Sequence, residues 1–149
     1  MASEHHVGFF WSRGDAAFTP GTYPQNYVLQ FPGGLDVDGS PAPEFGGSEA
    51  GVDPEQALVA ALSSCHALTF LALAAKRRFT VETYQDDATC SIGKREDGKS
   101  WVDVVWLRPR VVFAQPIEDD VLRQLHEQAH RYCFIANSVK SDVRIEPQI

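Results

Sequence analysis

The sequence predicts a single α+β domain, residues 1–149, with a mainly antiparallel sheet. Three observations support this prediction: a long apolar stretch with helix signals, several segments with strand-like alternation on both sides of it, and the lack of strict alternation between the two patterns. A chain of 149 residues has the usual size of one domain with one core. The predicted order is three strands, a helix, two strands, a second helix and a final strand.

The first forty residues predict strands and turns. Val7–Arg13 is rich in aromatic residues, and Asn26–Phe31 alternates apolar and polar positions. Gly33-Gly34 forms a turn into a short apolar segment, Leu35–Val37. Residues 38–52 contain mainly Gly, Pro, Ser and Glu, which predicts a loop long enough to suggest a functional role.

A long helix is expected from Asp53 to about Arg78. Asp53 is a capping residue, Pro54 suits the first helical position, and Gln56 completes a capping box. The stretch Ala57–Ala75 is apolar or small almost all round, so we expect this helix to be buried on most sides.

The second half predicts two long strands, a helix and a closing strand. Pro109 interrupts the second long strand, so a bulge or an edge is expected there. Cys133 falls at or just past the end of the second helix. The segments are Phe79–Ile92, Trp101–Phe113, a helix from Pro116 to about Tyr132, and Val139–Ile145.

Composition and charge exclude several function classes. The formal net charge of −7 argues against electrostatic binding of nucleic acid or an anionic membrane over a broad surface. The N-terminus lacks the pattern of a signal peptide, and we expect no membrane span because no unbroken apolar run approaches about 18 residues. Three cysteines are too few for a disulfide framework, so a reducing cytoplasm with free thiols is expected.

Each cysteine has a structural and a functional interpretation. Cys65 lies in the apolar helix, where a cysteine is more often a small packed hydrophobe than a nucleophile. Cys133 precedes a short segment that, if helical, would put free backbone N–H groups near the sulfur and favour the thiolate. Cys90 alternates with Ala88 and Ile92 and is expected to pack in the core.

A rival site uses histidines. His126, His130 and Cys133 lie on one helical face and would offer three metal ligands. The alternative is that the two histidines belong to a charged, solvated face, and we expect the purified protein to contain no stoichiometric zinc or iron and no other cofactor. Ser63-Ser64 is expected to serve close packing, since no nucleophile elbow, phosphate-binding loop or C-x-x-C motif is present.

The stretch from Val52 to His66, VDPEQALVAALSSCH, resembles the active-site helix of the osmotically inducible protein C (OsmC) and organic hydroperoxide resistance (Ohr) family. In that pattern an N/D-P-E entry precedes the peroxidatic cysteine, which follows the Glu by ten residues, as Cys65 follows Glu55. Cys133-Phe-Ile-Ala-Asn-Ser matches the position of the family's second cysteine, although many relatives carry Pro where Phe134 stands. The Gly33–Gly51 loop also departs from the best-known peroxidases, which leaves a different thiol task in an OsmC-like branch open.

The resemblance implies an OsmC-like fold in an intertwined homodimer, with two long central helices and active sites at the interface. It implies that Cys65 attacks an organic hydroperoxide and that Cys133 resolves the sulfenic acid as a disulfide. Glu55 and an Arg from an N-terminal strand or loop would complete the site, and Arg13 is the Arg that precedes the helix. The reductant in the family is typically a dithiol such as a lipoylated protein.

Two alternatives to this redox function stay open. One is a dimer that binds a small apolar ligand in a groove without thiol turnover, and the other is the metal site of His126, His130 and Cys133. Aromatic side chains would form an apolar entrance to the site that suits either an organic peroxide or an apolar ligand. These side chains are Phe9, Phe10, Trp11, Phe45 and Phe134.

Overall fold

The structure, a computed structural model, describes residues 2–149. The chain divides into two units, one that reaches Ala57 and one that comprises Leu58–Ile149. The first unit contains a three-stranded antiparallel sheet in the order β1-β2-β3. Its strands are β1 Gly8–Phe10, β2 Tyr27–Phe31 and β3 Leu35–Gly39.

The first strand is shorter than expected from Val7–Arg13. The chain leaves the ladder after Phe10, and the indole of Trp11 donates a hydrogen bond to the Pro24 carbonyl at 2.7 Å. The turn between β2 and β3 is the expected one: Gly33 and Gly34 both have positive φ, 89° and 81°, which glycine adopts without strain.

The predicted loop at 38–52 is partly ordered by backbone pairing. β3 extends to Gly39, and Gly39 forms an isolated parallel bridge with Val52. Between them lies a single 3₁₀ turn, Pro43–Phe45. The loop therefore returns to the sheet just before the long helix begins.

The long helix is α1, Pro54–Lys76, and it begins as the sequence predicts. The Gln56 amide N–H donates to the Asp53 carboxylate at 2.7 Å, and the Asp53 N–H donates to the Gln56 side chain at 3.0 Å. These two bonds confirm the capping box. The helix ends two residues earlier than expected, because Arg78 adopts a left-handed φ of 62°.

Within one chain, the buried face of α1 is narrower than the sequence predicts. Only Leu62, His66, Phe70 and Ala74 are fully buried, and they form one line at intervals of four residues. The most apolar 18-residue window has a mean hydropathy of 1.9 and is 28% buried, so by length and composition alone α1 would be able to cross a membrane. The sequence did not predict this, because no unbroken apolar run in it reaches that length.

The second unit contains two sheets. β4 pairs with β7, and β5, β6 and β8 form a three-stranded sheet in the order β5-β6-β8. All pairs are antiparallel except β6 with β8, so the sheets are mainly antiparallel as predicted. The strands are β4 Val81–Asp86, β5 Thr89–Lys94, β6 Ser100–Leu107, β7 Pro109–Phe113 and β8 Asp142–Ile145.

The prediction of one strand over Phe79–Ile92 and one over Trp101–Phe113 was wrong. Each segment is two strands, because the chain passes from one sheet to the other at residues 87–88 and at Arg108. The Asp86 carboxylate accepts a hydrogen bond from the Arg108 backbone N–H at 2.7 Å, which joins the two crossings. The expected interruption at Pro109 is confirmed.

The second helix is α2, Asp119–Tyr132, and it packs with α1 around one of two buried clusters. Phe70 and Ala74 of α1 belong to that cluster, and Leu62 belongs to the other. Cys90 packs against the cluster of Leu62, as the sequence predicts, and so do Val139, Val143 and Ile145. The middle of α1 is thereby fixed against both α2 and the sheets.

Candidate functional site

Cys65 lies in the middle of α1, one residue before the buried His66, and its side chain is half-buried. The hydroxyl of Thr69, one turn later, donates to the Cys65 carbonyl oxygen at 2.8 Å. Cys65 is too far from the helix N-terminus for the dipole to act on it. Any stabilisation of a thiolate must therefore come from other elements.

Cys133 is the residue at which α2 ends. Its backbone is extended, its N–H donates to the His130 carbonyl at 3.4 Å, and only 1% of the residue is exposed. The chain then forms the expected short helical turn, Ala136–Ser138. The Ala136 N–H donates to the Cys133 sulfur at 3.4 Å, and the Asn137 N–H donates to the Cys133 carbonyl at 3.0 Å.

The same turn brings Cys133 to Cys65. Burial alone would raise the pKa of Cys65, but hydrogen bonds from the backbone of Ile135, the Cys133 thiol and the backbone of Phe134 outweigh it. The net result is a lowered pKa for Cys65. The pKa of Cys133 is raised, by burial first and then by its hydrogen bond and charge interaction with Cys65.

This arrangement gives the two thiols different chemistry. Cys65 is the thiol that ionises more readily, and Cys133 is the one that retains its proton to higher pH. Neither Cys65 nor Cys133 forms a disulfide in this structure. The sequence predicted the turn and the N–H groups near Cys133, and these groups act on the Cys65 sulfur as well.

Glu55 lies in the first turn of α1. It is half-buried, and one of its carboxylate oxygens, Oε2, is buried without a hydrogen-bond partner. Ten residues of helix separate Glu55 from Cys65, which corresponds to about 15 Å along the axis. A Glu side chain does not span that distance along its own helix.

Arg13 lies exposed in the loop after β1. Its guanidinium donates to the Ala16 carbonyl at 2.7 Å, so its contact in the structure is local. Its role therefore stays a prediction.

The aromatic side chains that were expected to form an apolar entrance to the site are mostly exposed. Phe9, Phe10 and Phe45 of the first unit are each more than half exposed, and Phe134, next to Cys133, is 81% exposed. Phe134 is thus a large apolar side chain in water beside the thiol pair.

The two serines before Cys65 have structural roles. Ser63 donates to the Asp86 carboxylate at 2.6 Å, and Ser64 donates back to the Ala60 carbonyl at 2.6 Å. Ser63 is half-buried and Ser64 is exposed, so the packing role predicted for them stays a prediction for Ser64.

The three-ligand metal site receives no support. Among residues 2–149, no three His, Cys, Asp or Glu side chains are grouped so as to hold a metal ion. The Cys133 sulfur contacts Cys65 and the Ala136 N–H instead. His126 is 2% exposed, so it does not lie on a solvated face either.

His126 pairs with a histidine that the sequence did not single out. Its Nδ1 lies 3.0 Å from the Nε2 of His66, and the rings are parallel within 5°. Burial lowers the pKa of His66 to about 3, with contributions from His126 and His130, and it lowers the pKa of His126 to about 4. The sequence does contain one indication that His66 is buried. His66 lies midway between Leu62 and Phe70, four residues from each, on the buried side of α1.

The comparisons with known proteins concern the family and the fold. The model of the family described as OsmC-like protein matches residues 46–148. An OsmC-like protein of unknown function from Vibrio cholerae is 44% identical, with a TM-score of 0.93 over 99% of this chain and 100% of its own. A search of curated proteins finds no match.

More distant solved structures share the fold. An organic hydroperoxide resistance protein from Legionella pneumophila is 16% identical, with a TM-score of 0.77 over 100% of this chain and 99% of its own. The organic hydroperoxide resistance protein OhrB of Bacillus subtilis is 19% identical, with a TM-score of 0.71 over 98% of both chains.

Proposed function

The chain belongs to the OsmC-like protein family, and we propose that it is a thiol-dependent peroxidase that reduces organic hydroperoxides to alcohols. The observation that carries this proposal is the contact between Cys65, whose pKa is lowered, and Cys133, whose pKa is raised. A peroxidase needs this combination: one thiolate to attack and one protonated thiol to resolve.

The proposed chemistry has two steps at these sulfurs. The Cys65 thiolate attacks the terminal oxygen of ROOH, the O–O bond breaks, and the alkoxide takes a proton and leaves as ROH. Cys65 becomes a sulfenic acid. The Cys133 sulfur then attacks Cys65, an S–S bond forms, and water leaves with the thiol proton. A dithiol reductant, such as a lipoylated protein, would exchange with the disulfide and return both thiols.

A second chain would complete the site. Between residues 60 and 75, the exposed positions of α1 carry small or apolar side chains: Ala60, Ser64, Leu68, Ala72 and Ala75. Leu68 is 68% exposed, and the Ser64 hydroxyl is already bonded within the helix. An antiparallel α1 of another copy would fit this face closely and would bring the partner's first helical turn beside Cys65.

Glu55 and Arg13 would then act across the interface. The buried carboxylate oxygen of Glu55 lacks a partner, and an Arg guanidinium is the group that would satisfy it. An Arg held in this way stabilises the thiolate and donates to the bound peroxide. We therefore propose a homodimer in which each site takes two thiols from one chain and Glu55 with Arg13 from the other.

The substrate would be organic because of the surroundings of the thiols. Phe134 offers an exposed ring next to Cys133, which suits an alkyl or aryl group more than hydrogen peroxide. We expect the protein to act in the cytoplasm, where dithiol reductants keep its cysteines reduced.

Titration of free thiols tests the proposal. One equivalent of an alkyl hydroperoxide should reduce the count of free thiols from three per chain to one and release one equivalent of alcohol. Cys90 should be the thiol that remains. Unchanged thiols after the addition would favour instead a dimer that binds an apolar ligand without turnover.

A further inference from the structure

Two buried imidazoles join the helices that carry the two thiols. His66 of α1 is 1% exposed and His126 of α2 is 2% exposed. The Nε2 of His66 lies 3.0 Å from the Nδ1 of His126, and the rings are parallel within 5°. The second nitrogen of each ring is buried and makes no hydrogen bond within residues 2–149. The hydrogen bond between the rings therefore has no substitute among the described residues.

This hydrogen bond lies close to the thiols on both helices. His66 follows Cys65 directly, so their side chains point about 100° apart around α1. Cys133, which contacts Cys65, follows His126 by about two turns of α2. The α1 helix is thus held at two places that lie roughly 10 Å apart along α2. Two separated contacts fix both the rotation of α1 about its own axis and its angle to α2.

The surroundings keep the two rings neutral and in place. Phe70, one turn after His66 on α1, stacks on the His126 ring with the ring centroids 4.3 Å apart. Burial lowers the pKa of His66 to about 3, with contributions from His126 and His130, and it lowers the pKa of His126 to about 4. At pH 7 one neutral ring donates its N–H and the other accepts it, as a contact of 3.0 Å requires.

We propose that His66 and His126 are positioning residues of the thiol pair: their hydrogen bond sets α1 against α2 so that the sulfurs of Cys65 and Cys133 meet. This inference deepens the proposed function and rests on it, because resolution of the sulfenic acid is the step in which the two sulfurs react with each other. Such a step depends strongly on geometry, since a misplacement of 1 Å can slow it about 100-fold. The imidazoles act through the helices and transfer no proton.

Equilibration of the full-length protein with mixtures of oxidised and reduced dithiothreitol at pH 7 tests the proposal without peroxide. The protein dithiol loses two hydrogens and forms one S–S bond, and the cyclic disulfide of the reagent is reduced to its dithiol. Alkylation and mass spectrometry then count the bond between Cys65 and Cys133.

His66→Leu/His126→Leu should shift this equilibrium about 10-fold toward the reduced pair, which is the order of magnitude of one hydrogen bond. The double substitution replaces both partners by apolar side chains of similar size, so it leaves neither ring behind with an unpaired nitrogen. Leu122→Val is the matched control. Leu122 packs with Phe70 in the cluster between α1 and α2, so its truncation should lower the melting temperature and leave the thiol equilibrium unchanged.

His66→Gln and His66→Asn separate the hydrogen bond from the polarity of the side chain. The amide of Gln reaches about as far as the Nε2 of His, whereas the amide of Asn is one methylene shorter. His66→Gln should therefore keep the wild-type equilibrium, and His66→Asn should shift it toward the reduced pair. This comparison decides the matter if the double Leu variant does not fold. Equal equilibria for Gln and Asn, or a wild-type equilibrium in a folded double Leu variant, would overturn the proposal.

The same wild-type sample distinguishes this proposal from the peroxidase function. A wild type that forms the disulfide with dithiothreitol but does not consume an alkyl hydroperoxide would contradict the peroxidase, and the variants would still decide the positioning role. A wild type that forms no bond between Cys65 and Cys133 in any mixture would overturn the positioning role, because no thiol pair would be aligned.

Discussion

At the scale of single residues, the two thiols differ in the direction of their pKa shifts. Both are partly or fully buried, and burial raises the pKa of a thiol. The difference comes from the turn after α2, whose N–H groups and Cys133 thiol lower the pKa of Cys65. Local hydrogen bonds thus lower the pKa of Cys65, while burial is the main cause that raises the pKa of Cys133.

Cys65→Ser should abolish peroxide consumption, because it removes the sulfur that attacks. Cys133→Ser should leave a sulfenic acid on Cys65 that over-oxidises to sulfinic acid, since no resolving thiol remains. Mass spectrometry after one addition of hydroperoxide detects both outcomes. Cys90→Ser is the matched control and should consume peroxide like the wild type; full activity in Cys65→Ser would refute the mechanism.

The buried histidine pair should make the protein sensitive to acid. The unfolded chain protonates these histidines near pH 6.5, whereas the folded pKa values are about 3 for His66 and about 4 for His126. Between these limits the unfolded chain binds more protons, so the free energy of unfolding falls as the pH falls. The loss between pH 7 and pH 5 should be roughly 2 kcal/mol per histidine.

Denaturant unfolding at several pH values measures this loss. His5→Gln/His6→Gln should keep the wild-type pH dependence, since both residues are exposed. His66→Leu/His126→Leu should flatten it. A wild-type protein equally stable at pH 7 and pH 5 would contradict the buried, neutral pair.

At the scale of elements, the sequence predicted what depends on local chemistry. The capping residues located the start of α1, the glycine pair located the turn between β2 and β3, and Pro109 located a strand break. The sequence did not predict that Phe79–Ile92 divides into two strands, or that β8 pairs with β6. Strand pairing depends on partners that are distant along the chain. His66 was missed for the same reason, since its partner lies sixty residues away.

Asp53→Ala should lower the free energy of unfolding by about 1 kcal/mol, because it removes the side-chain bond that caps α1. Glu118→Ala is the matched control: Glu118 is the N-cap residue of α2 but makes no side-chain capping bond. It should change the free energy of unfolding by less than about 0.5 kcal/mol. Equal effects of the two substitutions in thermal unfolding would contradict the role of the Asp53 carboxylate.

At the scale of the whole molecule, the long helix is incomplete in one chain. The buried residues of α1 pack in the chain's own core. The exposed small residues of α1 and Leu68 are not covered by the described residues of the same chain. The separation of Glu55 from Cys65 along the helix would be bridged by the second copy proposed above. Both observations concern α1, and a mixed dimer of two variants tests them together.

A mixed dimer of Cys65→Ser and Glu55→Ala chains should recover peroxidase activity that neither parent shows. If sites are shared, one site of the mixed dimer carries both lesions and the other carries none. Activity should approach half of the wild type per mixed dimer. The control mixture, Cys65→Ser with Cys133→Ser, should recover nothing, because both thiols of a site come from one chain and each site keeps one lesion.

Proof of subunit exchange makes either result decisive. Failure to recover activity despite exchange would mean that Glu55 acts within its own chain or has no role. A stable monomer with full peroxidase activity at micromolar concentration would refute the shared site.

The contact between the middle of α1 and the end of α2 also has a consequence for the unfolded chain. A bond between Cys65 and Cys133 closes a loop of roughly 70 residues, and loop closure of that size removes about 4 kcal/mol of chain entropy from the unfolded state. Oxidation should therefore raise the temperature of unfolding, and a reductant should lower it again. The melting temperature would then report the redox state of the protein, so a cell under oxidative stress would hold its most heat-resistant form.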